Sequence, residues 1–168
     1  GCSRFIVHAR KAWLQGLSPK ENREIPPLRY DWVQRLKCER PSLTVLINGG
    51  LREVDEAVAQ LVHVDGVMIG RIAYHEPYRL HGMAVTLQGT TARTRADLLR
   101  AFFPYVEAQL LRGVAIKHII RPLLGLFHAQ PGGRAFRQVL SEGAPKAGAG
   151  LELLERALAL VEDRETAA

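Results

Sequence analysis

The chain has 168 residues, 47% of them hydrophobic and 24% charged, enough to bury a core and inconsistent with wholesale disorder. Formal net charge is +6, no apolar run approaches the roughly 20 residues that cross a bilayer, and no stretch has the architecture of a signal peptide. Two cysteines, Cys2 and Cys38, cannot build a disulfide scaffold or a four-ligand zinc site, so a reducing, cytoplasmic setting without a metal is expected, with both read as small, mostly buried residues.

The chain opens GCSRFIVHARKAW, with a strand-like run within five residues of its first residue and no initiator Met, and is expected to be a piece of a longer protein. Phe5 to Ala9 forms the first β-rich run. A loop with Ser18-Pro19 and Pro26-Pro27 leads to a helix over about 29–39, with Tyr30, Val33 and Leu36 at turn spacing and Pro41 as its stop. Leu43 to Ile47 is nearly all apolar, as a strand buried on both faces of a parallel sheet would be, and ends in Asn48-Gly49-Gly50. The next helix, about 53–61, places Val54, Ala57, Val58 and Leu61 on one stripe. A third strand, 66–69, closes in Gly70-Arg71. Alternating strands and helices imply parallel pairing through right-handed crossovers.

After Pro77 the pattern becomes helical, which divides the chain into 1–77 and 78–168. Thr94 caps a helix from about 95 to 112 that Pro104 should kink or break. A second helix is expected over 114–128, with a kink at Pro122, a short one over 134–141, and a last one over 151–163. Between the last two, GAPKAGAG reads as a flexible linker. These segments are expected to form a small bundle.

Charge is uneven. Residues 78–140 carry nine Lys/Arg against two Asp/Glu, a balance of +7, whereas 1–77 carry +2 and 141–168 carry −3. The middle block is a candidate polyanion surface. The three strands each finish in a polar or glycine residue: His8, Asn48-Gly49-Gly50, and Gly70-Arg71. In an α/β barrel all three ends would point at one mouth. Glycine lets backbone N–H groups approach a phosphate oxygen, a following helix start would add positive potential, and Arg71 adds a full charge. A phosphorylated cofactor or substrate is the expected occupant.

Four segments carry a resemblance: FIVHARKAWLQGLSPKENREIPPL, LINGG, DGVMIGRIAYHEP and, in the helical half, PGGRAFRQVLSE. Together they resemble the tRNA-dihydrouridine synthases, most of all their A subfamily. The resemblance implies the last three strand–helix units of a TIM (β/α)8 barrel followed by a C-terminal helical domain that grips tRNA. It further implies FMN as cofactor, NADPH as reductant, and reduction of D-loop uridines to 5,6-dihydrouridine. On that basis His8 contacts the flavin, Asn48, Gly49 and Gly50 line its ribityl-phosphate region, and Gly70 with Arg71 completes the phosphate grip. Lys20, Arg23, Arg134 and Arg137 match positions that touch tRNA.

The sequence also departs from the family. Its catalytic cysteine, in an Asn-x-Gly-Cys-Pro type motif, has no counterpart here, and neither Cys2 nor Cys38 is placed to replace it. The flavin-binding lysine of an earlier strand is absent as well, and Lys11 is not its substitute. Phe136 and Gln138 stand where the subfamily has Trp and Arg. No catalytic residue is therefore expected in this chain, which would need a barrel half from elsewhere and be inactive alone. The alternatives are a non-catalytic RNA-binding piece, or a flavin barrel acting on a free pyrimidine.

Overall fold

The computed structural model describes residues 1–165, with side chains described through Glu162. Two compact units divide the chain, Gly1–Arg71 and a second from Ile72 onward, whereas the compositional change falls after Pro77.

The first unit is built on a parallel three-stranded sheet in the order β1 (Arg4–His8), β2 (Thr44–Asn48), β3 (Gly66–Met68). Helices α1 (Tyr30–Glu39) and α2 (Val54–Leu61) make the crossovers, and α3 (Arg71–His75) follows β3. β2 is central because it alternates: Val45 and Ile47 are fully buried and pack in one cluster with Val33, Leu51 and Val64. Its other face, Thr44, Leu46 and Asn48, is only half-buried, not covered as an all-apolar run suggests, since three strands supply no opposing wall. On β1, Ile6 is 58% exposed.

At the amino end of the sheet, Asp65 acts as a clamp. Its Oδ2 accepts the Val45 amide at 2.8 Å and pairs with Lys37 Nζ at 2.9 Å, while the Asp65 amide donates to Val45 O at 3.0 Å. Lys37 Nζ also donates to Leu43 O at 2.8 Å, which ties the end of α1 to the start of β2.

Several local expectations are corrected. The buried seam of α2 runs through Ala57 and Gln60, and Val58 faces out; Gln34 Nε2 donates to Gln60 Oε1 at 3.0 Å, which lets a polar residue take the inner position. Cys2 and Cys38 are both exposed rather than buried.

The other corrections lie in the second unit, which is helical: α4 (Tyr78–Gln88), α5 (Arg95–Leu111), α6 (Ile116–Ile119), a 3-10 turn (Arg121–Gly125), α7 (Gly133–Gly143) and α8 (Leu151–Glu165). The helix expected over 114–128 is not merely kinked at Pro122 but split there, because Pro122 lacks an N–H and the chain tightens into the 3-10 turn around it. α5 instead runs through Pro104 unbroken. Thr94 caps α5 as expected: its Oγ1 accepts the Asp97 amide at 3.0 Å. Gly143–Gly150 is not a loose linker. The segment turns through Lys146 N to Gly143 O and Ala149 N to Lys146 O hydrogen bonds, and a Cβ on Gly143 would lie 2.3 Å from Leu153 Cδ1. That contact draws α7 and α8 together over a core of Phe136, Leu140, Leu154, Leu158 and Val161.

Two outcomes are expected. The chain expressed by itself self-associates through the open sheet edges and the exposed Phe5 and Ile6; sedimentation velocity checks this, and a monodisperse monomer with a cooperative melt contradicts it. Phe136→Ala, at a fully buried position, costs about 3–5 kcal/mol in denaturant unfolding.

Candidate functional site

Parallel pairing in register sets the strand ends level. His8 lies opposite Asn48, and Asn48 opposite Met68. Their polar groups join across the sheet: His8 Nδ1 sits 2.6 Å from Asn48 Oδ1, and Asn48 Nδ2 donates to Met68 O at 2.8 Å. Immediately after this row the chain turns through Gly49 and Gly50, at φ 121° and 73°. A Cβ on Gly50 would meet Leu28 Cδ1 at 2.6 Å, and one on Gly49 would meet Leu28 and the His8 ring at 3.2–3.4 Å, so the turn needs glycine for space as well as for φ. Tyr30 holds it from below: its hydroxyl donates to Gly49 O at 2.7 Å, and burial pushes the phenol pKa up.

Gly70 and Arg71 sit just beyond β3, with open space where a Gly70 Cβ would stand. Arg71 is half-exposed and its Nη1 pairs with Glu24 Oε1 at 2.5 Å. The expected full charge at the strand end is thus already shared with a carboxylate from the loop, which fixes its direction. Nor does α2 offer an open positive end. Glu56 Oε2 accepts the amides of Arg52 at 2.7 Å and Glu53 at 3.1 Å, so the helix start after the glycines is closed by its own acid.

Lys20 precedes and Arg23 ends a single 3-10 turn, Glu21–Arg23, in the loop after β1. Both are exposed, and neither enters an ion pair among the described residues. Sequence reasoning missed what shapes this loop. Asn22 laces it, accepting the Trp13 amide at 2.8 Å and donating to Trp13 O at 2.9 Å. Glu21 Oε2 accepts the Ser18 amide at 2.7 Å, and the Ser18 hydrogen bonds hold the Glu21 carboxyl below its usual range. Arg10 closes the loop by donating to the carbonyls of Pro26 and Glu24. The Ser-Pro-Lys-Glu-Asn run was the available signal, since serine, glutamate and asparagine three or four apart lace turns.

Arg134 and Arg137 lie on α7 in the second unit. Phe136 and Leu140 turn inward, leaving both arginines exposed and without an ion pair among the described residues. Gln138 on the same helix donates to Glu142 Oε1 at 2.9 Å. Among the described residues no cluster of three or more His, Cys, Asp or Glu could hold a metal ion, and no helix is long and apolar enough to cross a membrane.

The family model described as dihydrouridine synthase matches residues 1–162. A Xanthomonas campestris pv. campestris protein named tRNA-dihydrouridine(20/20a) synthase is 60% identical over 164 residues, covering 98% of this chain and 49% of its own length. Proteins of the same name from Vibrio parahaemolyticus and Escherichia coli are 50% and 52% identical, over 96% and 97% of this chain and 50% of their own lengths. The chain spans about half the length of the curated relatives it matches.

Acid should loosen the first unit. The Arg52 and Glu53 amides lower the Glu56 pKa, and the Val45 amide followed by Lys37 lowers that of Asp65. A carboxylate depressed in the fold contributes stability above its unfolded pKa and loses it as pH falls through the folded value. Thermal melts across the carboxylate range are expected to fall with pH, and less steeply in Glu56→Gln and Asp65→Asn. Equal slopes in the variants would refute these assignments.

Proposed function

The chain belongs to the dihydrouridine synthase family, and from that premise we propose that it forms the carboxyl-terminal portion of a tRNA-dihydrouridine(20/20a) synthase. In this reading β1 to β3 are the last three strands of a TIM barrel, completed by a half that this chain does not carry, and the second unit grips tRNA. A cytoplasmic setting goes with a tRNA substrate. The observation that carries the reading is the level row of His8, Asn48 and the Gly49–Gly50 turn at the carboxyl ends of a parallel sheet.

The residues present suit flavin mononucleotide by their donor set. A phosphomonoester with a hydroxylated chain calls for a cation, accessible amides and a side chain able to exchange hydrogen bonds with hydroxyls. Arg71, the glycine amides at 49, 50 and 70, and His8 provide these. The open space at Gly70 and the left-handed φ at Gly50 let backbone approach a ligand where a side chain would intervene. When bound, the flavin, reloaded by NADPH, supplies the hydride that reduces the uracil 5,6 bond.

This chain's own work is holding and orienting. Glu24 keeps the Arg71 guanidinium in one direction while its remaining N–H groups stay available to phosphate oxygens. Tyr30 and Leu28 brace the glycine turn. Lys20 and Arg23, on the laced loop, and Arg134 and Arg137, three apart on α7, meet tRNA phosphates, within a chain whose 78–140 segment carries +7. The target uridine has to leave the base stack to reach a flavin. The proton for the second ring carbon comes from an acid outside these residues.

The test uses the complete enzyme, which should purify yellow. Arg71→Ala raises the FMN dissociation constant about ten- to a hundredfold, the loss of a charged hydrogen bond of roughly 1.5–3 kcal/mol. Reversing Arg134 and Arg137 to Glu weakens tRNA binding and flattens its log–log salt dependence by about one unit per arginine, with FMN affinity unchanged. A colourless enzyme that still binds tRNA would leave the RNA-binding role and overturn the flavin one.

A further inference from the structure

We propose that Asn48 is a positioning residue that locks His8 in the Nδ1–H tautomer, so that neutral His8 presents a bare Nε2 lone pair to a hydroxyl or ring N–H of the ligand.

The argument follows the direction of each hydrogen bond. The Met68 carbonyl can only accept, so the Asn48 atom 2.8 Å from it is the amide NH2. That leaves Asn48 Oδ1 as the atom 2.6 Å from His8 Nδ1. An amide oxygen only accepts, so Nδ1 carries the hydrogen. A neutral imidazole has one N–H, and its other nitrogen is then an acceptor. Nε2 has no hydrogen-bond partner among the described residues, and His8 is exposed.

The backbone enforces the arrangement. Register brings His8, Asn48 and Met68 into one row, so a carbonyl of the ladder itself orients the amide, and the Met68 sulfur, also an acceptor, lies 2.8 Å from the same nitrogen. Gly49 leaves room for the ring edge: a Cβ there would stand 3.3 Å from His8 Cε1 and 3.4 Å from Nδ1. Asn48 has both polar atoms engaged, one with His8 and one with Met68, so its side chain acts through His8.

The consequence divides the labour within the proposed cradle. Phosphate oxygens and ring carbonyls are acceptors, and a bare nitrogen gives them nothing to accept. Neutral His8 therefore reads a donor of the ligand, such as a sugar-chain hydroxyl or an imide N–H, and recognition of phosphate is left to the glycine amides and Arg71. The inference rests on the flavin reading only for the identity of that ligand; the tautomer stands without it.

The experiment uses the complete enzyme, free of flavin and labelled with 15N-histidine, in long-range proton–nitrogen correlation spectra at alkaline pH, where imidazoles are neutral. His8 should show a pyrrole-type Nδ1 and a pyridine-type Nε2. Asn48→Ala shifts the pattern toward Nε2–H. Asn48→Asp restores Nδ1–H, since a carboxylate also accepts. Met68→Leu keeps the carbonyl and leaves the pattern unchanged. Added FMN moves the Nε2 resonance in the direction of an accepted hydrogen bond. A pyridine-type Nδ1 in the wild type, or an unchanged tautomer in Asn48→Ala, overturns the lock. An Nε2 that FMN protonates or leaves unmoved while binding overturns the ligand contact. An enzyme that binds no FMN refutes the flavin reading, while its unliganded spectrum still decides the tautomer.

Discussion

Everything at the candidate site depends on the register of one parallel strand. β2 pairs on both sides, with Arg4 to His8 opposite Thr44 to Asn48 and Leu46 to Asn48 opposite Gly66 to Met68. Because side chains alternate along a strand, a slip of one residue would turn Val45 and Ile47 out of the core and carry Asn48 away from His8. Burial of those two side chains and the Asp65–Val45 hydrogen bonds pin the strand at its core and amino end. The polar row at the carboxyl end is therefore level because the apolar middle cannot move.

Charge is organised by sign. Glu21, Glu24, Glu56 and Asp65 are turned to partners within the chain: a serine turn, an arginine, two amides at a helix start and an amide beside a lysine. Lys20, Arg23, Arg134 and Arg137 are instead exposed and unpaired among the described residues. Arg71 stands between the two groups, held by Glu24 yet half-exposed.

Legibility differed by residue. The strands, the helix at Tyr30–Glu39, the Thr94 cap and the glycine turn after β2 were readable, because periodicity, capping chemistry and a positive φ are local requirements. The inner place of Gln60 was not, because it depends on Gln34 from another helix. The split at Pro122 and the unbroken passage through Pro104 put the same residue type to opposite outcomes, and local sequence alone does not separate them. The engagement of Gly143 with Leu153 turned an apparent linker into a packed turn through a contact across the helix pair.

By itself the sequence determined where the positive charge accumulates, which family wording the chain carries and that β1 and β2 finish near His8 and Asn48. Each of these is written in residue type and spacing. β3 instead stops at Met68, short of the Gly70-Arg71 end expected for it. Only the tertiary structure decided that Arg71 is shared with Glu24, that α2 closes its own amino end, and that Asn48 points its oxygen at His8 and its nitrogen at Met68. Those outcomes depend on hydrogen-bond partners 3 to 47 residues apart in the chain, and the direction of a hydrogen bond exists only once both partners are in place.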